Sequence, residues 1–278
     1  MKYNNTLGTN FNNDRFSLKK LILVITMACI IFMSCGNKND GSVTKPESKS
    51  SIAPLFNNSI VSTKIDFIKS SDPDAFLNLS YKGQEKKEMP DSRSNQLFDQ
   101  NTYVFEAIFT DNIKIEIWVH SSFASTSVAQ QYASKVAGPL GKLPNLMRTK
   151  INHIVLLKGD GTNSSEDEGG FIILYSDKID TRIVNNDLEE TVFHESAHVS
   201  FDIPYVKSGN TWKQLQTNDN NNFITVYAKN NPNREDLAEF ALFAYTMIVH
   251  PNRLSSEIED WVETNNPNRL AFFKTIFK

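Results

Sequence analysis

Three residues separate His194 from His198, and one of them is Glu195, in the run His194-Glu195-Ser196-Ala197-His198. On an α-helix, residues four apart lie on one face, one turn above each other. Two imidazoles so placed can share one divalent ion. Glu195, about 100° round the helix, can reach a water on that ion and take its proton. This is the chemistry of metal-assisted hydrolysis. It needs the segment to be helical, and it needs a third ligand, because catalytic zinc usually has three protein ligands and one open position.

The ligand supply is narrow. The chain has 278 residues and only five histidines. Its two cysteines, Cys29 and Cys35, both lie near the N-terminus, so the rest of the chain must bind any metal through His and carboxylate. The candidate third ligands are Asp202, Glu235, Asp236, Glu239 and His250. Asp202 follows His198 by one turn, but along a single helix it is about 12 Å from His194, too far for one ion. It is expected at the helix end. His250, beside Pro251, reads as a partner for a helix C-terminus. Glu235 is preferred, since it opens a second helix that can cross the first and present its carboxylate to both imidazoles. Glu239, one turn on, is expected behind a ligand His, with the reverse assignment open.

The elements that must position these groups can be read from periodicity and punctuation. A helix is expected from Asp187 to about Phe201. Asp187 would cap it and Glu190 would complete a capping box. Leu188, Thr191, Val192 and Val199 form its apolar stripe, Phe193, Ala197 and Phe201 cover a flank, and Pro204 lies beyond its end. A second helix is expected from Asn233 or Glu235 to His250, capped by Asn233 with Asp236 as box partner. Its buried stripe is Leu237, Phe240, Ala241, Ala244, Met247 and Ile248.

Ahead of these helices the pattern changes to strands. Residues 103–109 and 113–120 alternate apolar and polar around Asp111-Asn112, which predicts a hairpin. Residues 125–137 predict an amphipathic helix that Gly138-Pro139 ends. Residues 151–158 and 171–176 predict strands on either side of a polar loop at 159–170. Residues 81–100 are charged and expected to be loop. The Asn-rich run 218–222 is expected to be solvated. Short helices at 256–262 and 270–277 close the chain. The order predicts an α+β fold, with the sheet ahead of the helices.

The net charge of −3 and the lack of a strongly basic stretch argue against nucleic acid as the main partner. With 40% hydrophobic residues, the chain can bury one sizeable core. Lys19-Lys20 precede an apolar run from Leu21 to Met33, which reads as a secretory signal too short for a comfortable membrane span. The run ends in Phe32-Met33-Ser34-Cys35, which resembles a bacterial lipobox. That resemblance implies a lipid on Cys35 and anchoring to the membrane of the cell envelope. The expected organisation is a signal peptide at 1–35, a flexible tether at 36–58 and a folded domain at 59–278.

The motif gains specificity from the residues downstream of it. His194-Glu-Ser-Ala-His198, then Tyr227, then Glu235-Asp-Leu-Ala-Glu239-Phe240 is similar to gluzincin-type zinc peptidases, and looks most like the catalytic domain of anthrax lethal factor. Leu140-Gly-Lys-Leu-Pro144 and Gly169-Gly170 also resemble bacterial relatives of that domain. The resemblance covers roughly residues 125–250. It implies a zincin-like fold and Zn2+ bound by His194, His198 and Glu235. It also implies Glu195 as general base, Tyr227 as oxyanion stabiliser, and a peptide or protein substrate. In such folds an edge strand pairs with the extended substrate, and residues 171–176 are the candidate, with an ordinary core strand as the alternative. A different class of function also fits the motif, an envelope lipoprotein that keeps zinc as a structural or binding element. The intact Glu195 argues against it, because a purely structural site needs no base. A third reading is hydrolysis of a non-peptide amide.

Overall fold

The computed structural model describes residues 52–278. The expected signal peptide at 1–35, its lipidation site Cys35 and residues 36–51 of the tether lie outside them. The strands are β1 (Phe76–Glu88), β2 (Phe98–Phe109), β3 (Lys114–Val119), β4 (His153–Leu157), β5 (Ser164–Glu166) and β6 (Phe171–Tyr175). Between β3 and β4 lie helices α1 (Thr126–Lys142) and α2 (Asn145–Arg148). After β6 come α3 (Ser176–Asn185) and α4 (Leu188–Phe201), the latter continuing into a π-helical turn, Asp202–Lys207. They are followed by α5 (Thr211–Asn218), α6 (Val226–Asn230), α7 (Asp236–Val249), α8 (Ser256–Asn265) and α9 (Pro267–Ile276).

Among the described residues the strands form one mixed sheet, in the order β1-β2-β3-β4-β6-β5. The expected α+β class holds. β2 and β3 make the hairpin expected around Asp111-Asn112, with Asn112 at φ 64°, a turn conformation that Asn tolerates. β3, β4 and β6 run parallel, and β5 returns antiparallel on β6. One face of the sheet carries Phe105, Ile117, Leu156, Ile172 and Leu174 and packs against the helices as the main core. The other carries a smaller cluster of Met89, Val155, Leu157 and Tyr175.

Three local expectations fail, each for a physical reason. Residues 81–100 are not loop. Most of them belong to β1 and β2, and β1 is an edge strand paired only to β2 and exposed along much of both faces. No apolar alternation marks such a strand. Gly138-Pro139 does not end α1, which runs on to Lys142 with Pro139 inside it. A proline removes a backbone donor, but Ala137, Leu140 and Gly141 are buried there. Arg148 then donates Nη1–H to the carbonyls of Leu140 and Gly141 at 3.3 and 3.0 Å, and to that of Leu143. Finally, of the two readings of 171–176, the edge strand fails and the ordinary core strand holds, since β6 lies between β4 and β5. β5 covers it, inside what reads from sequence as a polar loop.

The last part of the expected tether packs on the domain. Phe56 pairs in parallel with Thr225 and stacks on Phe243 at 5.6 Å between ring centroids. The Asn-rich run is also only partly solvated. Asp219 and Asn222 are buried, while Asn220 and Asn221 take positive φ and turn the chain.

Candidate metal centre

α4 is buried on every side, with only 0–8% exposure from Leu188 to Phe201 apart from the half-buried Glu189. It runs between the sheet, α1 and α7. Its apolar residues reach the main core, while His194, Glu195 and His198 line one cavity together with Glu235. His194, Glu195 and His198 are each 7–8% exposed. The helix starts where expected, but not by the expected cap. Asp187 makes no capping bond and instead accepts from Arg182 Nη1 at 3.0 Å. Glu190 is drawn away from the helix end and accepts from the backbone N–H groups of Phe67 and Ile68 at 3.0 and 3.1 Å. Burial pushes its carboxyl up to about 7, against the lowering effect of those backbone donors.

The structure brings Glu235 to the two histidines. Glu235 occupies the N-cap position of α7. Its Oε2 lies 3.4 Å from His194 Nε2 and 3.3 Å from His198 Nε2. One ligand atom from each of the three residues falls within 4.8 Å of the others. These residues can hold a metal ion. Burial opposes the charge on Glu235, but the two imidazoles more than offset this and hold its carboxyl well below the usual carboxylate range. The expected cap of this helix is not used. Asn233 lies in the preceding turn, and Asp236 is fully buried in a separate network. There Asp236 accepts from Trp212 Nε1 at 2.8 Å and from Arg269 Nη1 at 2.9 Å.

Two of the three remaining candidates stand behind the imidazoles. Asp202 Oδ2 is 2.9 Å from His198 Nδ1, the nitrogen turned away from Glu235. Distance along the helix excludes Asp202 as a ligand, but the same one-turn spacing lets it orient His198. Burial disfavours a charged His198, yet Asp202 and Glu235 together push it up to about 10. Glu239 is fully buried, with Oε1 3.6 Å from His194 Nδ1. It accepts from Ser59 Oγ, the Ile60 N–H and Thr225 Oγ1 at 2.5, 2.8 and 2.7 Å. Burial raises its pKa against the lowering pull of His194 and these donors. His250 is remote from the group. It caps the C-terminal end of α7, and its Nε2 lies 3.7 Å from Asp72.

A cavity of about 290 Å3 opens onto His194, His198 and Glu235. Glu195 and Tyr227 line it, as do residues 162–167, which include all of β5. Tyr227 sits on α6, and this helix is capped by Thr225 Oγ1 accepting from the Ala228 N–H at 3.0 Å. Partial burial and the neighbouring Glu235 push the Tyr227 hydroxyl up to about 12, so it remains a hydrogen-bond donor at neutral pH. Across the rim, Lys207 of the π-turn pairs with Asp167 at 2.7 Å.

Sequence reasoning missed four parts of this site: Asp202 as the partner of His198, β5 as the cavity wall, and Ser59 and Thr225 as holders of Glu239. Only Asp202 had a usable signal, its i+4 spacing from His198. No family model, curated protein or solved structure matches the chain.

Proposed function

We propose that this protein is a zinc peptidase of the zincin type, carried as a lipoprotein on a bacterial envelope membrane. The observation that carries the metal reading is the spacing of the ligand atoms. Ligands about 2.0–2.1 Å from a tetrahedral zinc stand about 3.3 Å from each other. The separations of Glu235 Oε2 from the two Nε2 atoms are 3.3 and 3.4 Å. The donor set, two imidazoles and one carboxylate, suits zinc and leaves one position open. Asp202 and Glu239 supply the outer partners that ligand histidines ordinarily have.

Zinc held there would supply an acidified water, with a pKa near about 7, and a Lewis acid for a carbonyl oxygen. Glu195 is one residue from a ligand, faces the same cavity and has the reach to take the water's proton and return it to the leaving amine. The Tyr227 hydroxyl, protonated at neutral pH, would donate to the oxyanion. β5 ends the sheet beside the cavity, so its free edge can pair with an extended chain. This favours a peptide over a compact amide. It also moves the expected substrate strand from 171–176 to Ser164–Glu166.

The test compares wild type with Glu195→Gln. Both should bind close to one equivalent of zinc, and only wild type should cleave a proteome-derived peptide mixture. Zinc binding with no cleavage by either chain would favour the structural-module reading. Incorporation of labelled fatty acid should depend on Cys35, and label that persists in Cys35→Ser would remove the lipoprotein reading.

A further inference from the structure

Glu239 is held by a segment far from it in sequence. Ser59 and Ile60, 180 and 179 residues before it, supply two of its three side-chain and backbone donors. Ser59 Oγ binds Oε1, the oxygen that faces His194 Nδ1 at 3.6 Å. The third donor, Thr225 Oγ1, binds Oε2 and also caps the helix that carries Tyr227. The same segment is tied to Thr225 from the other side. The Phe56 N–H donates to the Ile224 carbonyl at 3.0 Å, and the Val226 N–H donates to the Phe56 carbonyl at 2.9 Å. Ile60 is sunk in the main core with 1% exposure. Residues 52–62 therefore touch both the outer partner of a ligand histidine and the turn that bears Tyr227.

The geometry has one open term. His194 Nδ1 is buried without a hydrogen-bond partner. An imidazole that binds a metal through Nε2 keeps its proton on Nδ1, and that proton needs an acceptor. Glu239 Oε1 is the group facing it, and its position is set by Ser59. Left alone, the Glu239 side chain would be free to rotate away from His194. Three donors fix it as an oriented acceptor.

We propose that residues 52–62 form an N-terminal clasp that belongs to the metal site. In it Ser59 and Ile60 position Glu239 behind His194, so that docking of the clasp and binding of zinc are one coupled equilibrium. The proposal rests on the zinc reading above. It places Phe56, which lies ahead of Ser59, inside the functional domain. Because coupling free energies are reciprocal, anything that loosens the clasp weakens zinc, and zinc tightens the clasp by the same factor. Cleavage or loosening within residues 56–60 would then act on the metal through Glu239 and His194.

The experiment uses the full-length chain and zinc alone as probe. Zinc affinity is measured by competition with a chromophoric chelator for wild type, Ser59→Ala and Ser59→Thr. Loss of an outer partner weakens metal binding roughly tenfold or more, so Ser59→Ala should show that drop and Ser59→Thr, which keeps the hydroxyl, should recover it. A separate readout needs no variant. Hydrogen exchange of the Ile60 amide in wild type should slow when zinc is added. Ser59→Ala binding zinc as tightly as wild type, or zinc leaving Ile60 exchange unchanged, overturns the clasp. Zinc bound by none of the chains sinks the metal reading and the clasp together.

Discussion

Arg269 is the side chain whose removal should cost the fold most. It is fully buried and serves two fully buried carboxylates. Its Nε donates to Asp219 at 2.9 Å, its Nη1 donates to both oxygens of Asp236 at 2.9 Å, and its Nη2 donates to the Asn222 carbonyl. Arg269→Met fills much of the same volume but leaves two carboxylates without their cation. Asp236 would keep Trp212 and Gln216 as donors, and Asp219 would keep the backbone N–H and side-chain amide of Asn268. Breaking a buried ion pair by removing one partner costs about 3–5 kcal/mol. Here one cation answers two anions, which places the expected loss at the upper part of that range. For a domain of this size each kcal/mol moves the midpoint by about 2–4 °C, so a loss of about 4–5 kcal/mol should lower the melting midpoint by about 8–20 °C. The triple variant Arg269→Met, Asp219→Asn, Asp236→Asn removes the stranded charges and should recover most of the loss. Because Asp236 adjoins Glu235, the single variant should also bind zinc more weakly. An Arg269→Met chain that melts within about 2 °C of wild type, under 1 kcal/mol, would refute the reasoning. So would a triple variant no more stable than the single one.

Other outcomes are set by the charges around α4. Glu190 keeps its proton in the folded chain up to about 7, above its ordinary 4.5. The native state therefore binds more protons than the unfolded chain between these values, and stability should fall as pH rises through that window. Glu190→Gln should remove this slope in melting temperature against pH, and a slope that survives would point to another group. With no metal bound, His198 holds its proton up to about 10, so zinc must displace it and zinc affinity should rise with pH toward that value. Asp202→Ala should move the end of this rise to lower pH. An unmoved profile from chelator competition would mean that Asp202 does not govern His198. Glu235→Ala should weaken zinc far more than Asp202→Ala does at high pH, where proton competition is gone, and the reverse order would make Asp202 the ligand.

The parts of the site that were legible in sequence are those fixed by local repetition. The four-residue spacing on α4 and the stripe on α7 both come from helix geometry. The β2–β3 hairpin comes from alternation around Asp111-Asn112. What the sequence hides is tertiary. Asp187 and Glu190 match a capping box, as do Asn233 and Asp236. Yet Glu190 is used by Phe67 and Ile68, and Asp236 by Arg269. A local motif offers a weak bond that a buried long-range partner can outcompete. β5 is three residues long, too short to carry a period. Beyond Tyr81, β1 is polar on both faces, so that half has no apolar period to show. Ser59 and Ile60 meet Glu239 only because the chain returns after some 180 residues, and no spacing rule spans that distance.

The two ends of the sheet are treated in opposite ways. An unpaired strand edge invites any extended chain, including a copy of itself. β1 is the longer edge, thirteen residues, and it carries Lys82, Lys86 and Lys87 together with three irregularities of register. Charge and kinks of this kind keep foreign strands from zipping onto it. β5 is three residues of Ser164, Ser165 and Glu166, with no lysine. It faces a cavity that limits how much chain can lie alongside. The molecule thus protects itself from fibre-like growth at one edge and leaves open at the other only the length that one short segment can occupy. Removing lysines from β1 would then threaten solubility before it touched chemistry.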